Sequence, residues 1–87
     1  MTEGELIGKV IHFYDRIGVA VLRLQQDLKL GDRVHFLGRN TDFEQEITSM
    51  EVEHKAVDKG AAGTEVAVKV KQRARNGDSV YRLPQAT

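Results

Sequence analysis

Residues 64–71 read Thr-Glu-Val-Ala-Val-Lys-Val-Lys. Val66, Val68 and Val70 fall on one side of a two-residue period, and Glu65, Ala67, Lys69 and Lys71 fall on the other. A helix, with its period of 3.6, would scatter those valines around its circumference, so the stretch reads as a half-buried β-strand. The alternation recurs upstream in residues 32–37, where Val34 and Phe36 alternate with Arg33, His35 and Leu37. Downstream, residues 78–83 form a short strand after the turn signal Asn76-Gly77-Asp78. The first segment, Leu6 to Phe13, is rich in β-branched and aromatic residues.

Two stretches are less direct. In residues 17–30, Val21, Leu24 and Leu28 fit a helical stripe that Gly31 could cap, whereas Ala20, Leu22 and Leu24 fit a strand. Gly18 followed by a β-branched run favours a strand over 17–24, with residues 27–32 as a compact turn. In residues 43–54 the apolar parity changes from Phe43, Gln45 and Ile47 to Met50, Val52 and His54. One extra residue near Thr48-Ser49 accounts for this as a β-bulge, the device that bends strands in small barrels.

Turn signals at 15–16, 29–32, 38–42, 58–63 and 76–78 separate six short segments, a spacing typical of all-β folds. An open sheet leaves two edges exposed, and closure removes them. The expected architecture is therefore all-β, a small closed six-stranded antiparallel β-barrel. The chain reads as a single domain, 1–87, with its core over 5–83 and a frayed tail at 84–87; no internal repeat is evident.

The 87 residues carry 13 basic and 13 acidic side chains and no Cys. Lack of Cys excludes a disulfide, a thiolate metal site and a Cys nucleophile. Glu3 and Glu5 stand where a signal peptide would be basic, and no long apolar run follows. The expected compartment is the cytoplasm, without a membrane partner. Neutrality conceals a split: residues 1–65 sum to −4 and residues 66–87 to +4. The acid gathers at Asp42, Glu44, Glu46, Glu51 and Glu53, and the base at Lys69, Lys71, Arg73 and Arg75. Paired carboxylates at strand spacing read as solvated faces.

Nothing reads as catalytic. Ser49 and Ser79 lie outside nucleophile-elbow sequences, and His12, His35 and His54 occupy separate segments without metal-ligand spacing. No cofactor is expected. The basic ladder is the better candidate. On an unbroken strand, Lys69, Lys71, Arg73 and Arg75 share one face, with charges about 6 to 7 Å apart, which suits a phosphate backbone. Tyr81 offers a stacking surface, and Arg82 adds a cation from what reads as the neighbouring strand. An acidic protein surface is the other partner such a ladder fits.

Ile7-Gly8-Lys9-Val10, Ile17 to Leu24, Leu28 to Gly38, Ile47 to Val52, Val57 to Val70 and Asn76 to Tyr81 together resemble the second, β-barrel domain of translation GTPases such as elongation factor Tu. The resemblance spans about residues 5–83. A P-loop is absent, so it implies the accessory barrel without GTP binding. It further implies a pocket for the aminoacyl end of tRNA, formed here by Gly18, Val19, Ala20, Val21 and Glu51. Ala61 and Glu65 stand where that family carries a basic residue and an Asn, and this exchange opposes phosphodiester binding. A similar barrel is appended to collagenase-like peptidase-family enzymes, several of which act in RNA hydroxylation. The resemblance thus implies a module that binds RNA (tRNA or rRNA) or a ribosomal component. Alternatively, it implies a protein-interaction subunit acting in trans with such an enzyme.

Overall fold

A computed structural model describes residues 4–84, so residues 85–87 of the expected tail lie outside the described residues. The described residues are all-β, with no helix among them. The strands are β1 (Glu5–Tyr14), β2 (Val19–Leu24), β3 (Leu28–Lys29), β4 (Arg33–Gly38), β5 (Thr41–Glu46), β6 (Met50–Val52), β7 (Lys55–Ala56), β8 (Lys59–Gly60), β9 (Glu65–Lys69) and β10 (Ser79–Arg82). The run after Gly18 is a strand, β2, which pairs with both β1 and β9, while Ile17 and Gly18 of the expected 17–24 strand belong to the preceding turn.

Eight strands follow the order β5-β4-β10-β1-β2-β9-β6-β7, and β3 with β8 forms a separate ribbon. Alternation decides what each strand buries. Ala20, Leu22 and Leu24 of β2, Val66 and Val68 of β9, and Val34 and Phe36 of β4 point into one core. There Phe36 stacks on Phe43 with ring centroids 4.9 Å apart. The β3–β8 ribbon covers this core at Gly60, whose missing side chain leaves space for Val66, Leu24 and Met50.

The closed six-stranded barrel is not what the ladders make. The order is open from β5 to β7, and no ladder joins those ends among the described residues. The cause lies at 47–49. The parity change there is not a bulge; the chain leaves β5 after Glu46 and crosses to the far side of the order, where β6 pairs with β9. The register shifts occur instead in β1, at Leu6/Gly8 against β10 and at Val10/His12 against β2.

Along the β5 edge a side chain replaces the missing ladder. The Gln45 amide donates from Nε2 to the Lys69 carbonyl at 2.8 Å, and its Oε1 accepts the Lys71 backbone N–H at 2.8 Å. Gln45 is buried, and both ends of its amide are satisfied, as a polar group in a core requires.

Two turns repeat one motif that the sequence reading passed over. Gly31-Asp32-Arg33-Val34 opens β4, and Gly77-Asp78-Ser79-Val80 opens β10. In each the Gly is left-handed, with φ of 92° and 90°, where a Cβ would be strained. In each the buried Asp accepts a backbone N–H three residues back: Lys29 to Asp32 at 3.1 Å and Arg75 to Asp78 at 2.8 Å. Each turn also hooks a buried aliphatic residue: Ile47 bonds Gly31 and Asp32, and Val10 bonds Gly77 and Asp78. Since β4 and β10 are antiparallel neighbours, the repeat relates β5-β4 to β1-β10 by an approximate two-fold.

Candidate functional site

A broad concavity lies on the outer face of β2, β9 and β6. The side chains that alternation turns away from the core form its floor. In the ladders Val19 stands opposite Lys69, Val21 opposite Ala67, and Glu51 opposite Ala67. A groove of about 1060 Å³ runs over these residues, with Tyr14 and Ile17 at one end. Ile17 is 60% exposed and Tyr14 49%, among few large apolar side chains that the fold leaves in water. Arg23 faces Glu65 across the ladder at the opposite end.

One wall is the β6–β7 hairpin, whose two central residues, Glu53 and His54, have φ of 52° and 68°. Two successive left-handed residues give the turn the twist that a two-residue hairpin needs. Asn-Gly is the usual occupant; Glu-His adopts the same shape at a cost in strain.

The pocket residues implied by the resemblance divide in this setting. Val19, Val21 and Glu51 come together in the groove. Ala20 points the other way and is wholly buried. Gly18 acts through its backbone: with φ of 66° it ends the β1–β2 turn, and its carbonyl accepts the Val70 N–H at 2.9 Å.

The basic ladder does not keep one face. Strand β9 ends at Lys69, and residues 71–75 run as bends and irregular chain. Ala74 is buried among them and turns the backbone inward. Arg75 enters the second Gly-Asp turn, and Arg73 lies 3.9 Å from Asp15. Only Lys69 and Lys71 stay together, held by the Gln45 clamp. Tyr81 and Arg82 lie on β10, which is separated from β9 by β1 and β2, so Arg82 does not come from a neighbouring strand.

Arg82 is committed elsewhere. It donates to Glu5 at 3.0 Å, to Asp32 at 3.3 Å and to the Asp27 carbonyl at 2.6 Å, tying β10 to β1 and to the first Gly-Asp turn. Burial disfavours its charged form; the hydrogen bonds and charges of Glu5 and Asp32 outweigh this and raise its pKa above the ordinary arginine value. The histidines remain apart: His12 meets Tyr14 edge-on, His54 sits in the hairpin turn, and His35 Nε2 lies 2.6 Å from Asp42. Among the described residues no group of three His, Cys, Asp or Glu side chains converges as metal ligands.

No protein-family model matches the chain. Over 80 residues, 91% of its length, it is 39% identical to an uncharacterized protease of Methanocaldococcus jannaschii, and the match spans 20% of that protein. It is 30% identical over 79 residues to a collagenase of Porphyromonas gingivalis, spanning 22% of it. The chain thus covers about a fifth of the length of these curated relatives. Among solved structures, the C-terminal domain of a Geobacillus thermoleovorans putative U32 peptidase superposes with a TM-score of 0.86 at 23% identity, over 92% of this chain and 93% of that one. A selenomethionine variant of the same domain gives 0.84 at 24% identity. These relatives lend no support to the likeness to translation GTPases. The chain has the fold of the C-terminal domain of that putative U32 peptidase and is similar in sequence to part of collagenase-type proteins.

Proposed function

We propose that this chain is a non-catalytic β-domain that serves a collagenase-like peptidase-family enzyme as a protein-interaction module. The supporting observation is the match of 91% of the chain to only 20% of the Methanocaldococcus protease, which leaves four-fifths of that protein to carry any chemistry. The non-catalytic part of the reading rests on Ser49 and Ser79, which lie outside nucleophile-elbow contexts. The missing cysteine fits a reducing, cytoplasmic setting. The groove with exposed Tyr14 and Ile17 is the surface that best suits a protein partner, since exposed aromatic and aliphatic groups beside polar ones mark such contacts.

The test is affinity purification of the tagged full chain from its native cells, with protein and RNA both identified. A peptidase-family enzyme recovered in near-stoichiometric amount is expected. Recovery of RNA without any such enzyme overturns the reading.

A further inference from the structure

A second concavity lies at the seam where the backbone ladder fails. It is a cleft of about 380 Å³ between the end of β5 and the chain leaving β9, lined by Arg33, Gln45, Glu46, Thr48, Lys69 and Lys71. Three of those side chains are cations and one is a carboxylate. Among the described residues neither Lys69 nor Lys71 forms an ion pair, while Arg33 only approaches Glu44 at 3.9 Å, both side chains being about half exposed. So long an exposed contact holds its arginine weakly.

The cations are not a chance gathering on flexible chain. Their backbones are fixed by the same buried amide: Gln45 bonds the Lys69 carbonyl and the Lys71 N–H, each at 2.8 Å. Arg33 is held opposite Glu46 in the β4–β5 ladder. Cβ positions are therefore set before any ligand arrives, and only side-chain rotamers remain to be ordered. Thr48 adds a hydroxyl at the rim. Two unpaired ammonium groups, a loosely held guanidinium and a hydroxyl around a small cleft make a receptor for a tetrahedral oxyanion.

We propose that this seam is a phosphate-binding site, with Lys69, Lys71 and Arg33 as the anion ligands and Gln45 as the residue that positions the two lysines. The phosphate belongs either to a nucleic-acid backbone or to a free or small-molecule phosphate. The site is separate from the protein-docking groove, although Lys69 borders both.

The experiment is a nuclear magnetic resonance titration of the isotope-labelled full chain at constant ionic strength. The probes are inorganic phosphate, sodium chloride and a single-stranded hexanucleotide RNA. Saturable shifts at residues 45–48 and 69–71 are expected with phosphate and not with chloride. The double variant Lys69→Gln with Lys71→Gln keeps the backbone bonds to Gln45, so its spectrum stays dispersed. It should bind about tenfold more weakly, the loss expected from removing charge-assisted hydrogen bonds. RNA that saturates at lower concentration with the same footprint identifies a nucleic-acid phosphodiester as the source. Phosphate binding without RNA binding identifies a free or monoester phosphate. Shifts no different from those with chloride, or a double variant that binds as well as the parent, overturn the site.

Discussion

Gln45 occupies a position where alternation along β5 calls for an apolar side chain, between Phe43 and Ile47. Its amide has the donor and acceptor of a peptide group, so it extends hydrogen bonding across a gap that the backbone does not close. Gln45→Leu keeps volume and burial but leaves the Lys69 carbonyl and the Lys71 N–H unpaired. The expected loss is about 1 to 3 kcal/mol, measured as a lower urea midpoint at unchanged slope. Thr41 presents the opposite case. Its hydroxyl is buried, and among the described residues it finds no hydrogen-bond partner. Thr41→Val removes an unsatisfied polar atom while keeping the β-branched shape, so stability should hold or rise by up to about 1 kcal/mol in the same assay. Neither outcome could be read from the chain: alternation put Gln45 on the apolar side with Phe43 and Ile47, but nothing in sequence named its backbone partners or showed that the Thr41 hydroxyl lacks one.

At the scale of elements, the β6–β7 hairpin carries its strain in the wall of the main groove. Replacing Glu53-His54 by Asn-Gly gives the turn residues that tolerate both left-handed positions. The pair should stabilise the domain by about 1 kcal/mol, seen as a thermal midpoint raised by roughly 4 to 8 °C. The long strands were legible because a period of two survives in the sequence wherever one face is wet. The ends of strands were less so. Residues 64–71 alternate without a break, yet β9 stops at Lys69, because Gln45 captures the next turn of chain and Ala74 draws it into the core. The parity change at 47–49 was visible too, but a bulge and a crossover leave the same trace in sequence, and only the pairing of β6 with β9 separates them. The repeated Gly-Asp-x-Val was in plain view. It passed as two unrelated turn signals because each is only four residues long.

At the largest scale, 87 residues leave little stability to spare, and the core is shared by nearly every strand. Phe36 lies fully buried, stacked on Phe43 where β4 meets β5. Phe36→Ala should cost about 3 to 5 kcal/mol, a large part of the total, and calorimetry should show the transition displaced far down in temperature or lost. Alternation and turn spacing foretold an all-β fold, and composition gave no net charge. It could not show that the sum of zero is arranged in space with two unpaired lysines at a seam and carboxylates along the neighbouring β5 edge.

Glu5 stands opposite Arg82 in the β1–β10 ladder, and their side chains join residues 77 apart in the chain. That ladder also lies inside the eight-strand order, flanked by β4 and β2. The interior of the sheet therefore cannot assemble until two strands far apart in the sequence have found each other, after local hairpins such as β1–β2 and β4–β5 have had time to form. Chains dominated by such distant pairings reach the native state in milliseconds to seconds rather than microseconds. Stopped-flow refolding should place this domain in that slow range, with substitutions at the β1–β10 ladder changing the folding rate more than the unfolding rate.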